Sequence, residues 1–309
     1  MKSTFGDVIE EYRALIGAAA LVSDAHQLVW VEGRDAARFL QGIVSQDVEG
    51  MAPGSVGRAF LLGPQGKLKA LLWVARGEER VGLLVDAGHG LRLVDDLDYY
   101  RIRVKATVRL DERLVWEVWG PSSHELTGLA GGWVDRDAAT LVSIPMRGLD
   151  RVAVVGEKPA SVPVRAGRLA TSAARVVHGE PVFGIDVDES TIPQETGLVS
   201  DSVSFSKGCY LGQELVARID SRGHVNRMLR SLAVTRNVLP PEGAPVMSGD
   251  KRLGVVTSVS ETLTSPVGLA LLRREAEVGD TVTVSWDGGE VPAIVKGAPV
   301  EPDGSRDAS

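Results

Sequence analysis

Apolar residues recur at helical spacing at the start of the chain, where Val8, Ile9, Tyr12, Leu15 and Ile16 follow an Asp7 cap and stop at Gly17; this predicts an amphipathic helix. A short strand over 27–32 comes next. The turn Gly33-Arg34-Asp35 then leads into a helix with Phe39 and Leu40 on its inner face, ending at Gln41-Gly42 with the glycine in the left-handed closing conformation. Residues 57–62, 67–75 and 80–86 are rich in Val, Leu, Phe and Trp. They are separated by Gly63-Pro64-Gln65-Gly66 and Gly77-Glu78-Glu79, which predicts an antiparallel meander. Leu93, Val94, Leu97 and Tyr100 mark a helix over 91–100 whose Asp95, Asp96 and Asp98 form a solvated face. Alternation then predicts a half-exposed strand over 101–105 that continues through 108–110.

A similar unit follows: a strand over 114–119, a helix near 123–130, strands over 141–144 and 152–155, and a helix over 168–178. Residues 179–205 read as a long irregular connection, expected to form the wall of a cleft. Six short strands (229–234, 243–247, 252–260, 266–271, 281–286 and 291–295) with Gly-Asp and Asp-Gly-Gly turns predict a small β-barrel. The fold class is α+β. The expected organisation is a first subdomain over 1–110 with part of 179–225, a second over 111–225, a barrel over 226–298 and a disordered polar tail over 299–309.

Composition narrows the function. The chain has 309 residues, 44% of them hydrophobic and 24% charged, as in a folded protein of two or three packed units. A net charge of −7 argues against general nucleic-acid binding. A single cysteine excludes an internal disulfide framework and a self-contained iron-sulfur site, and 5 histidines without ligand spacing argue against an intrinsic metal. No run approaches the roughly 20 apolar residues of a membrane span, and the start of the chain lacks signal-peptide layout, so the expected compartment is the cytoplasm.

The lone cysteine lies in Lys207-Gly208-Cys209-Tyr210-Leu211-Gly212-Gln213-Glu214, a glycine-punctuated loop that leads into a helix. With Lys207 behind it and Arg218, Arg222 and His224 ahead, Cys209 has the surroundings that lower a thiol pKa. It could serve as a nucleophile, a redox group or a shared metal ligand.

This octapeptide resembles the signature of the YgfZ family, folate-binding proteins of iron-sulfur cluster metabolism related in fold to the T-protein aminomethyltransferase of the glycine cleavage system. Residues 216–227, Phe39-Leu40-Gln41-Gly42, Pro64-Gln65-Gly66-Lys67 and Ile192-Pro193-Gln194-Glu195 agree with it. The resemblance implies a folate-binding module of two related α+β subdomains and a C-terminal barrel around a central opening. It implies tetrahydrofolate or a derivative as ligand, and iron-sulfur client or assembly proteins, including tRNA-modifying ones, as partners. Cys209 would be the working thiol, supported by Lys207, Gln213, Glu214 and Arg218, while Gln41, Gln65, Lys67, Glu195, Tyr210, Arg222 and Arg227 would contact folate. The chain departs from T-protein at two places: the catalytic aspartate falls on Leu93 and the pterin-binding glutamate on Val177. A folate-dependent one-carbon transferase is therefore the alternative reading.

Overall fold

The computed structural model describes residues 1–136, 139–222 and 225–297, with the backbone alone for 220–222. Helix α1 (Val8–Gly17) starts where Asp7 accepts the Ile9 N–H at 2.7 Å. Strand β1 (Ala20–Ser23) follows, then β2 (His26–Glu32), α2 (Ala36–Gln41), and the meander β3 (Val56–Leu62), β4 (Leu68–Arg76) and β5 (Arg80–Asp86). Helix α3 (Gly90–Tyr100) and β6 (Thr107–Leu110) complete a five-stranded antiparallel sheet of order β3-β4-β5-β2-β6.

The second unit contains β7 (Val115–Trp119), α4 (Ser123–Thr127), β8 (Trp133–Arg136), β9 (Ala139–Ser143), β10 (Arg151–Gly156) and α5 (Arg168–Val177). Its sheet has the order β1-β7-β10-β9-β8, so β1 pairs with β7 across the boundary expected at residue 110. α1 accompanies it, joining α5 in one apolar cluster through Tyr12, Leu15, Ala170 and Ala174. Strand alternation joins the two sheets. Leu28 and Trp30 face Val115, Val142, Ile144 and Val155 of the second sheet, while Val29 and Val31 face α2 and α3.

A connection containing a 3₁₀ turn (Pro193–Thr196) and α6 (Val199–Ser202) leads to α7 (Gln213–Arg222). The last unit has β11 (Arg227–Val234), β12 (Pro245–Ser248), β13 (Lys251–Glu261), β14 (Pro266–Arg273), β15 (Thr281–Trp286) and β16 (Gly289–Lys296). They close as a barrel of order β11-β14-β13-β12-β15-β16 around Val246, Val256, Leu272 and Val284.

The α+β class, the meander and the barrel agree with the sequence pattern. Three details differ. Residues 101–106 are not a strand, because Arg103 takes φ 58° and breaks the extended backbone, so that pairing begins only at Thr107. Gly42 stays right-handed at φ −84°, because the chain coils on through Ile43 and Val44, whose N–H groups both reach the Leu40 carbonyl. β1 and β8 are too short to stand out by periodicity. The tail over 299–309 lies outside the described residues.

Candidate functional site

Cys209 is exposed on the loop between α6 and α7, and the residues around it fasten that loop to the first sheet. The Ser204 N–H donates to the Ser45 carbonyl at 3.0 Å and the Leu211 N–H to the Gly42 carbonyl at 3.1 Å. Lys207 is buried and its Nζ donates to the Val44 and Gln46 carbonyls at 2.8 and 2.7 Å, with the Tyr210 ring centroid 5.0 Å away. Burial pushes the Lys207 ammonium down to about 8, against the opposing pull of Asp47 and Glu49. Tyr210 packs among Phe60, Leu62, Leu68 and Phe183, and burial pushes its phenol up to about 12. Its N–H donates to Gln213 Oε1 at 3.3 Å, which holds the entry to α7. The outcome is a thiol at the surface of a firmly seated loop.

The expected basic surroundings of that thiol are arranged otherwise. Lys207 turns inward to carbonyls, and Arg218 reaches Glu214 at 2.5 Å on the outer face of α7, as neighbours one helical turn apart do. The side chain of Arg222, and His224, lie outside the described residues.

Of the residues expected to contact folate, Gln41, Gln65, Lys67 and Tyr210 lie in or beside the cysteine loop, while Glu195 and Arg227 pair with each other. Gln41 donates to Asp47 at 2.8 Å and accepts the Glu49 N–H at 3.2 Å, bracing the loop beneath the cysteine. Gln65 and Lys67 are exposed on the turn that packs against Gly212. Glu195 is buried; it accepts the Ile192 N–H at 3.0 Å and the Arg227 guanidinium at 2.9 and 3.3 Å, and so ties the connecting segment to the barrel.

A cavity of about 510 Å³ opens elsewhere, where His26 at the start of β2, Asp86 at the end of β5, Trp119 at the end of β7 and Arg151 at the start of β10 converge. Glu180, Pro181 and Phe183 of the connecting segment line it, Arg168 of α5 stands at its exposed side, and Glu242 reaches it from the barrel unit. Gln41, Gln65, Lys67, Glu195, Tyr210 and Arg227 do not line this cavity, and neither does Cys209.

Its floor is a buried charge network. His26 Nδ1 lies 2.6 Å from Glu117 Oε1, and Trp119 donates to the other Glu117 oxygen at 2.7 Å. Burial alone would raise the Glu117 carboxyl, but His26, Arg151 and Trp119 outweigh it and hold the group at about 2. Arg58 donates to both oxygens of Glu180 at 2.8 Å. Burial holds the Asp86 carboxyl above its ordinary range, with Glu180 adding to the rise and His26 opposing it. Sequence reading missed these residues because they are single polar positions on separate strands and in a loop, with no shared spacing along the chain. The one signal was the length of the segment after residue 179. Among the described residues no group of three or more His, Cys, Asp or Glu could hold a metal ion, and no helix is long and apolar enough to cross a membrane.

Leu93, where the resemblance would put the T-protein aspartate, is buried in the core between α3 and the first sheet. Val177, at the position of the pterin-binding glutamate, packs against Val267 and Leu269 of the barrel.

Residues 227–300 match the family described as the glycine cleavage T-protein C-terminal barrel domain. Over 296 residues the chain is 30% identical to the iron-sulfur cluster assembly factor IBA57, mitochondrial, of Homo sapiens, covering 87% of this chain and 81% of that protein. It is 28% identical over 273 residues to the mitochondrial IBA57 homolog of Pyricularia oryzae, covering 83% of this chain and 66% of the relative's length. The fold is similar to the glycine cleavage system aminomethyltransferase T from Bartonella henselae, with a TM-score of 0.85 at 20% identity over 95% of this chain and 89% of that one.

Proposed function

The chain belongs to the family of the iron-sulfur cluster assembly factor IBA57, within the aminomethyltransferase-like superfamily, and on that premise we propose that it is a tetrahydrofolate-binding accessory factor in the assembly, maintenance or repair of iron-sulfur enzymes. The observation that carries the proposal is the exposure of Cys209 on a loop held by buried Lys207 and Tyr210. A loop with no chemical role has no need of an outward thiol on so constrained a base. A cluster ordinarily takes four thiolates, so this chain would donate one ligand, and a client or assembly protein would supply the others.

The central cavity suits a folate. Pockets for such ligands measure about 300–1,000 Å³ and combine apolar walls with a few placed polar groups. Here Trp119 and Phe183 supply aromatic wall, Asp86 and Arg151 polar groups, and Arg168 a cation for an anionic tail. Bound folate would supply a one-carbon unit or a redox-active ring, while the protein's part is to position it and shield it from water.

The test uses cells lacking the gene, rescued with wild type or Cys209→Ser, with the activities of several iron-sulfur enzymes as readout. Rescue by wild type alone is expected. Normal enzyme activity without the gene would overturn the proposal.

A one-carbon transferase is the second reading, favoured by the aminomethyltransferase fold and by a cavity of suitable size. The apolar surroundings of Leu93 and Val177 weigh against it, since no carboxylate stands at either place to orient a folate nitrogen or move its proton. Turnover on mixing purified protein with methylene-tetrahydrofolate and candidate amine acceptors would establish it.

A further inference from the structure

The floor of the central cavity has hydrogen-bonding capacity that the protein does not use up. Arg151 is 3% exposed and lines the cavity. Its Nε donates to the Ile144 carbonyl at 2.8 Å, but Nη1 stops 3.8 Å from Glu117 and Nη2 3.6 Å from Glu180. Nη2 finds no acceptor among the described residues. Asp86 is under-used in the complementary sense. One of its oxygens accepts the Phe183 N–H at 3.0 Å, while the other lies 3.7 Å from His26 Nε2, beyond hydrogen-bond reach. The two groups belong to one network, because His26 and Glu117 stand between them and the Arg151 charge acts on Asp86. Trp119 and Phe183 add aromatic surface beside them.

An unmet donor and an unmet acceptor on one buried floor select for a ligand group that offers both partners at once. A phosphate or carboxylate would satisfy Arg151 but meet repulsion from Asp86 and Glu180. An alkylammonium would satisfy Asp86 and leave Arg151 unpaired. An aromatic ring with an N–H beside a carbonyl satisfies both, and its flat faces suit Trp119 and Phe183.

Building on the folate reading above, we propose that Asp86 and Arg151 together bind the amide edge of a planar heterobicyclic ring, Asp86 accepting from its ring N–H and exocyclic amino group and Arg151 donating to the adjacent carbonyl oxygen. Pterin carries this edge. The pair takes the place of the glutamate that the resemblance to T-protein would put at Val177.

The test is calorimetric titration of the full chain with tetrahydrofolate, with pterin alone and with 4-aminobenzoylglutamate, which lacks the ring. Asp86→Asn, which keeps an oxygen for the Phe183 N–H, and Arg151→Lys are expected to weaken tetrahydrofolate and pterin at least ~10-fold and to leave 4-aminobenzoylglutamate unchanged. Arg151 also packs between Glu117 and Glu180, so a ligand exchange on the unaltered protein backs up its variant. In neutral buffer, where both rings are uncharged, 2,4-diaminopteridine, with an amino donor in place of the carbonyl, should bind at least ~10-fold more weakly than pterin. If tetrahydrofolate binds the variants as it binds wild type, and the diamino ring binds as well as pterin, the Asp86–Arg151 pair is overturned and the folate reading stands. If neither tetrahydrofolate nor pterin binds the unaltered protein, both fall.

Discussion

A Cβ on Gly212 would stand 3.0 Å from the Cα of Gly66 and 2.6 Å from the Gly63 carbonyl oxygen, so the two glycines seat the turn at 63–66 directly against the cysteine loop. Both have positive φ, 71° for Gly66 and 78° for Gly212. Gly212→Ala therefore combines backbone strain with a clash that backbone atoms cannot relieve. We expect a loss of about 1–3 kcal/mol in denaturant unfolding, with faster proteolysis of the 204–212 loop. Unchanged stability would mean that the two loops are not packed together as described.

Lys207 should matter for structure more than for the chemistry of the thiol. Lys207→Met removes the donor to the Val44 and Gln46 carbonyls and should cost about 1–3 kcal/mol. The folded-state value near 8 lies below the ordinary lysine value of 10.5, so in that window the unfolded chain binds the proton and the folded chain does not. Wild-type stability should consequently rise with pH relative to Lys207→Met between these two values. Parallel pH-dependences of unfolding for the two proteins would contradict this.

Glu117→Gln probes the cavity floor. The substitution removes the fully buried carboxylate shared by His26 and Arg151 and should cost about 3–5 kcal/mol. Because the folded carboxyl titrates near 2, below its ordinary 4.5, its contribution is complete above the ordinary value and is lost as pH falls toward 2. Acid unfolding monitored by circular dichroism should show this dependence in wild type and a weaker one in the variant.

The exposed thiol should react with a maleimide in the native protein, and mass spectrometry should find the whole population modified under native conditions. Cys209→Ser should change unfolding free energy by no more than about 0.5 kcal/mol. A native protein resistant to the reagent would make Cys209 a packing residue and remove the basis of the proposed function.

Glu214 and Glu195 offer a contrast between two ion pairs. Glu214→Gln breaks a pair whose side chains are 86% and 66% exposed and should be neutral within about 0.5 kcal/mol. Arg227→Ala strands the buried Glu195 carboxylate and should cost about 1–3 kcal/mol, loosening the barrel from the connecting segment. Equal effects in thermal or denaturant unfolding would show that burial does not distinguish them.

The octapeptide around Cys209 was legible because its glycines, its lysine and its thiol are contiguous. Their roles were not: Lys207 reads as a neighbour of Cys209 along the chain, yet its ammonium points to carbonyls at 44 and 46, more than 160 positions away. Gln41 and Glu195 likewise read as ligand contacts and are committed to Asp47 and Arg227.

Local pattern was enough to specify the barrel and most of the strands and helices, β1 and β8 being too short to show. Alternation at Leu28, Val29, Trp30 and Val31 states which side chains share a face, and turn residues state where the chain reverses. It could not specify which faces meet. Pairing of β1 with β7, and the convergence of His26, Asp86, Arg151 and Glu180 on one cavity with Glu117 buried behind them, follow from burying two sheets against each other, and these positions share no spacing along the chain. Side chains that come together through the packing of distant surfaces leave no periodic trace in the sequence, and the cavity became visible only once both sheets and the segment after residue 179 were in place.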